Sequence, residues 1–260
     1  MSTIYTINGK VLKNVTTGKW LAKKEADPYN PLGLPAGVMR MKMPEGWTIG
    51  SYDTVSLEFT QVSSSPNVWD MKVNNGSGIN DWNHPSSGII EVMGFNPEGV
   101  TGYDSGIKSI LTDTTTRIGG MRLTEITTFT NMLKSTIEEV GPLSLPNVTN
   151  MSALFSASTN LRYVEFADLE NLEDCSQMFA GCSSLTSMPI LNGIQNLTEV
   201  DQMFASCPNI ASGILDMYNR LSNISSISKH KFCFSDCGSN TVTGAAERAQ
   251  IPSSWGGTGA

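Results

Sequence analysis

The chain has 260 residues, enough for one large or two modest domains with a sizeable core and no need of covalent staples. Hydrophobic residues are 39% and charged residues only 16%, with Gly, Ser, Thr and Asn plentiful, which favours turn-rich, β-rich or repeat structure over a helical bundle and argues against disorder. The net charge of −7 argues against a nucleic-acid partner, because counterion release needs clustered Lys and Arg, and the one basic cluster, Lys19, Lys23 and Lys24, is small.

Residues 1–21 predict a small N-terminal β arm. Tyr5, Ile7 and Val11 alternate with polar neighbours, Asn8-Gly9 supplies a tight turn, and Trp20-Leu21 closes the segment. Residues 22–36 hold Pro28, Pro31 and Pro35 and a charge cluster without periodicity, and predict a linker. From 37 to 87, short β-type runs such as VMRMKM, TVSLEFTQV and NVWDMKV alternate with Gly, Pro, Ser and Asn clusters, predicting a small antiparallel β unit. IIEVMGF, with Ile90, Met93 and Phe95, predicts a lone strand opening the remaining region, 88–260.

That region repeats. Units open at Val148, Leu172 and Leu197, and each carries a Phe seven residues later: Phe155, Phe179 and Phe204. The following aliphatic positions, Leu161, Leu185 and Ile210, keep the same separations of 24 and 25 residues. Met151, Leu154, Phe155 and Ser158 fall at i, i+3, i+4 and i+7, as do Cys175, Met178, Phe179 and Cys182, and Val200, Met203, Phe204 and Cys207, which predicts one short helix per unit. The tails Leu161, Val164, Phe166 and Leu185, Met188, Ile190 predict one buried strand per unit. A degenerate unit precedes these, with Phe129, Met132 and Leu133 on the helix face and Ile137 and Val140 in the strand.

A last unit sets Cys233, Phe234 and Cys237 where the previous one has Met203, Phe204 and Cys207, 30 residues later. The extra length contains Ile214, Met217, Tyr218 and Leu221, again at helical spacing, and predicts an inserted helix. TGAAERAQI, with Glu247 near a capping-box position, predicts a final helix that closes the stack. The fold expected is α+β: a β arm and a small β unit, then a short solenoid with a helical C-terminal cap.

The pattern VTxMxxMFxxCxSLxxLxL is matched over 148–166, 172–190 and 197–210, and these units resemble BspA-like leucine-rich repeats. LPAGVMRMKMP, NVWDM and CGSNTVTGAAERAQIPSSW are similar to segments of repeat proteins of gut Bacteroidales and their phages. The resemblance implies surface adhesion and ligand recognition, with no catalytic residues and no cofactor. Leu154 for Met, Ser158 for Cys and Gly213 after Ile210 depart from the pattern.

The chemistry-bearing residues fit that reading. Five cysteines, at 175, 182, 207, 233 and 237, form no CxxC pair, so neither a disulfide framework nor a metal site is expected. Cys182, Cys207 and Cys237 recur at one repeat position where Ser158 also stands, which marks them as small core residues alongside Phe155, Phe179, Phe204, Phe234, Leu161, Leu185 and Ile210. Cys233, Cys237 and His230 lack a fourth zinc ligand, and His84, the other histidine, has no GxSxG partner. The adjacent acids Glu138-Glu139 and Glu173-Asp174 read as solvated, not as a glycosidase pair. Asn14, Asn147, Asn150, Asn196 and Asn223 begin Asn-x-Ser/Thr triplets and are expected in turns and caps, with Thr149 and Thr198 as helix N-caps. Trp47, Trp69, Trp82 and Tyr103 are the candidates for a ligand-stacking platform, set against core packing of the β unit.

The expected function is therefore non-enzymatic: a phage virion protein, a head- or tail-associated fibre or decoration protein, assembled in the host cytoplasm and presenting its repeats to a host glycan or protein. The expected partners are other virion proteins through the N-terminal arm and a second copy of the chain in a homo-oligomer, with no nucleic acid and no membrane insertion. The opening residues show no apolar leader, which favours this over the alternative, a bacterial cell-surface adhesin. A carbohydrate-active enzyme is the third reading.

Overall fold

The computed structural model describes residues 6–7, 10–11, 27–48, 57–73, 88–104, 107–108, 115–130 and 136–259. Trp82, His84, Met132, Leu133 and Asn14 lie outside these residues.

Two short strands, β1 (Thr6–Ile7) and β2 (Lys10–Val11), pair antiparallel around Asn8-Gly9, with Thr6 opposite Val11. Nine further strands form one sheet. In chain order they are β3 (Val38–Lys42), β4 (Leu57–Ser64), β5 (Asn67–Val73), β6 (Ile90–Phe95), β7 (Thr115–Ile118), β8 (Met121–Arg122), β9 (Glu139–Ser144), β10 (Tyr163–Ala167) and β11 (Ile190–Leu191). Their spatial order is β4-β5-β3-β6-β7-β9-β10-β11, with β8 beside β7 between β6 and β9. From β6 onward every pairing is parallel, one strand per turn of chain, whereas β3, β4 and β5 are antiparallel and join through β3 to β6. The antiparallel strands thus continue the parallel sheet, and their Met39, Met41 and Met71 belong to the same apolar cluster as the repeat residues.

Opposite the sheet runs a second, thinner ladder. Thr128, Asn150, Asp174, Glu199 and Lys229 are joined by four successive parallel bridges, one residue per turn. Sheet and ladder enclose a flattened tube of about four turns, a β-solenoid.

The expected helices over 148–158 and its equivalents do not form, and the fold is mostly β, not α+β. The amides of Met151, Ala153, Phe155 and Ala157 donate to carbonyls of the next turn, at Asp174, Ser176, Met178 and Ala180. The intervening amides of Leu154, Ser156 and Ser158 donate three residues back within their own turn. This alternation recurs in the next unit, where Cys175, Gln177, Phe179 and Gly181 reach Glu199, Asp201, Met203 and Ala205. It requires a left-handed residue at every fourth position: Ala153 and Ala157, Gln177 and Gly181, Gln202 and Ser206, Phe232 and Asp236, all with φ between 54° and 78°. Two consecutive reverse turns therefore carry the apolar spacing that a helix also carries.

Helices do form later. α1 (Ile214–Ser222) buries Ile214, Met217 and Leu221, and α2 (Val242–Arg248) begins at Thr241, whose hydroxyl accepts the amide of Gly244 at 3.1 Å. Glu247 makes no capping box in its own helix. Its carboxylate accepts the amides of Ile214 at 2.7 Å and Leu215 at 3.2 Å, and so caps α1, whose own N-cap residue is the side-chain-less Gly213. Arg220 of α1 donates to the carbonyl of Leu191 at 2.6 Å, occupying a backbone acceptor of the terminal strand β11.

Candidate functional site: the stacked core and a cleft at its corner

Phe155, Phe179, Phe204 and Phe234 are fully buried and stack as a column, with centroids 5.5, 5.4 and 5.7 Å apart and interplanar angles of 17°, 1° and 17°. Phe166 continues it at 6.1 Å, and Tyr218 of α1 meets Phe234 edge-on at 6.3 Å. Leu161, Leu185 and Ile210 are likewise buried. The strand after Leu185 is shifted by one residue from expectation: Leu191 pairs with Phe166 and is buried, while Ile190 points outward at 43% exposure, and Pro189 is buried where Met188 was expected. An extra residue between Leu185 and Leu191 causes the shift, because the side-chain period of a strand is two.

The thiols form a second column. Cys182 donates to the carbonyl of Phe155 at 3.2 Å and Cys207 to that of Phe179 at 3.0 Å. All five cysteines are free and buried, and burial pushes every thiol up, Cys207 to about 12 and the others further. They are protonated at neutral pH, the reverse of what nucleophilic or metal-binding sulfur needs. Among the described residues no group of three or more His, Cys, Asp or Glu side chains is placed to hold a metal ion. His230 lies flat against Trp255, rings 4.2 Å apart, and Trp255 in turn meets Tyr218 edge-on.

The triplet asparagines act as rungs. Asn147 donates to the carbonyl of Thr124 at 2.6 Å, Asn196 to that of Glu170 at 2.6 Å, and Asn171, between them, to that of Pro146 at 2.7 Å. Asn150 accepts the amide of Ser152 and donates to Asp174, and Asn223 is the C-cap of α1. Thr149 and Thr198, expected as helix N-caps, instead donate to carbonyls of the preceding turn, at Thr127 and Glu173.

The aromatic platform is not assembled as a surface. Trp69 is buried with its indole N–H on Asn67 at 2.7 Å, and the half-buried Trp47 meets it edge-on at 5.3 Å. Tyr103 is buried against Phe95, and its hydroxyl accepts the amides of Thr124 at 2.8 Å and Glu125 at 3.2 Å.

Two open features remain. On the outer face of the sheet, Tyr163 stands 42% exposed beside a crevice of about 310 Å³, and its hydroxyl donates to Glu165 at 2.5 Å, a bond that pushes the phenol up to about 12. At the corner following β6 and β8 is a larger cleft of about 700 Å³. Residues 27–34, expected to be a linker, run across the sheet here because Gly119-Gly120 carries no side chain: a Cβ on Gly120 would lie 2.3 Å from the carbonyl oxygen of Pro28. Leu34 is buried, the amide of Asn30 bridges its N–H and C=O, and Asn96 donates to the same carbonyl at 2.9 Å. The cleft between this strap and the turn at 96–100 is lined by Asp27, Tyr29, Glu98 and Arg122 over a floor of Phe95 and Val100. Arg122 sits 5.9 Å from the centre of the Tyr29 ring and 3.3 Å from Asp168, which also accepts the hydroxyl of Ser144. Sequence reasoning missed this cleft, whose walls are 90 residues apart in the chain.

A parallel solenoid with one Phe, one small residue and one polar rung per turn defines the molecule as a β-solenoid repeat protein. Residues 109–243, just over half of the chain, match the family described as "Mycoplasma protein of unknown function, DUF285", and the chain belongs to that family. No curated protein and no solved structure matches it.

Proposed function

We propose that this protein is a non-enzymatic recognition scaffold: a rigid stack that holds exposed side chains, one per turn, for contact with a partner. The observation that carries this is the solenoid's division of labour. Reactive thiols and rings point inward, while Asn150, Asp174, Glu199 and Lys229 repeat along one outer ladder and Glu139, Tyr163, Glu165 and Ile190 along the sheet. A surface repeated in register at strand spacing suits an extended partner such as a glycan chain or a protein strand. Helices α1 and α2, with Trp255, serve in this proposal as the closing cap of the core.

The setting proposed is a phage particle, with the N-terminal arm joining other virion proteins and copies of the chain associating with each other. The resemblance of the repeats supports this, and a bacterial cell surface is the second setting. Saturable binding of the labelled full chain to bacterial cells or to an immobilised glycan panel tests recognition, and no saturable binding to either removes it. Mass spectrometry of purified particles tests the setting, and absence of the protein there removes the virion reading.

A further inference from the structure

We propose that the corner cleft between the strap and the 96–100 turn is a binding site for a neutral saccharide. The proposal rests on the recognition reading and names its site and ligand class.

The size is right: about 700 Å³ lies within the range of small-ligand sites, and the mouth is wide enough for a terminal sugar unit of a larger chain. The walls are fixed before any ligand arrives. Asn30 and Asn96 spend their side chains on Leu34, so the strap is clamped and little conformational freedom remains to be lost on binding. The polar groups left facing the cleft are the Asp27 and Glu98 carboxylates, the Tyr29 hydroxyl and the Arg122 guanidinium. Asp27 already accepts the amide of Tyr29 at 2.9 Å, which holds the carboxylate in place.

Charge decides the ligand class. A ligand anion would face Asp27 and Glu98, and behind them Asp168, which already occupies part of Arg122. A ligand cation would meet the guanidinium at the centre of the same wall. Planar carboxylates and a planar guanidinium side by side match vicinal hydroxyls, each of which both donates and accepts. The Tyr29 ring and the prolines Pro31 and Pro97 offer apolar faces for the C–H side of a sugar ring.

The test is an amide-shift titration of the isotope-labelled full chain with maltose, cellobiose, lactose and chitobiose, and with lysine and sialic acid as cationic and anionic comparisons. A neutral sugar is expected to shift amides of 29–33, 96–100 and 122–124, and Tyr29→Ala and Arg122→Ala to weaken it by about tenfold or more each, with unchanged melting. Arg122→Lys, which keeps the charge but not the planar fork, is expected to weaken it as well. The proposal is overturned if none of the four neutral sugars moves these amides or if lysine or sialic acid moves them instead. It is also overturned if binding survives both alanine substitutions, a result that leaves recognition by the rest of the solenoid standing.

Discussion

The rings of Phe179 and Phe204, 25 residues apart in the chain, lie parallel to within 1° at 5.4 Å. Each is the filling of one turn and the floor of the next, so truncating either removes contacts on both sides. Phe179→Ala and Phe204→Ala are each expected to destabilise the solenoid by about 3 to 5 kcal/mol. Denaturant unfolding of the two variants measures this, and wild-type midpoints would refute the stacking register.

Backbone handedness makes a second prediction. Ala157 holds φ of 64° where the next turn has Gly181. Ala157→Gly is expected to stabilise by about 0.5 to 1 kcal/mol, the left-handed penalty of about 1 to 2 kcal/mol less the extra freedom glycine has when unfolded. Gly193 is the opposite case, since a Cβ there would lie 2.6 Å from the amide nitrogen of Leu169. Gly193→Ala is expected to cost about 2 kcal/mol or more. Thermal melts of the pair check both signs.

The position of the repeats was legible in the sequence because Phe and the following aliphatic residue keep one spacing. The conformation within each repeat was not. Ala153, Gln177 and Gln202 carry no glycine signal for their left-handed backbone, and the bonds that make turns preferable to helix run to residues 23 or 24 positions away, as from Ala153 to Ser176. The inserted helix at Ile214–Ser222 was legible because its amides do bond locally. Glu247 was misread for the same reason as the turns: its partner Ile214 lies 33 residues away. The strap and its cleft depend on Gly120 meeting Pro28 and Pro31, a contact that no local pattern announces.

Buried thiols predict a loss of stability in alkali. Burial raises the Cys207 thiol from an ordinary value near 9.0 to about 12, so above pH 9 the unfolded chain releases a proton that the folded chain keeps. Stability contributed below that pH is then lost as pH rises towards 12, by up to about 1.4 kcal/mol per pH unit for each such thiol. Cys207→Ser, a change that Ser158 already represents at this repeat position, is expected to make the decline shallower. Urea midpoints between pH 8 and pH 11, a range chosen around the ordinary thiol value of roughly 8.5 to 9, report it. Parallel wild-type and variant profiles would sink the claim.

The cap on α1 is borrowed from α2. Glu247→Ala leaves the amides of Ile214 and Leu215 without their acceptor and is expected to cost about 1 to 2 kcal/mol. Glu247→Gln keeps an acceptor oxygen and is expected to recover part of the loss. Hydrogen exchange at those two amides distinguishes local fraying of α1 from a global effect.

The alternating bonds of the turn segments also constrain how such a chain can be lengthened by duplication. Every second amide from Met151 to Ser206 is answered only by an adjoining turn, so a copied segment fits only if it brings a complete circuit with both left-handed positions four residues apart. The same architecture is lenient elsewhere. The final circuit is 30 residues against 24 and 25 for those before it, and the whole surplus is absorbed as α1 on the opposite side. Inheritance in this fold is therefore quantised on one wall and free on the other, and new binding loops have one side of the tube on which to arise.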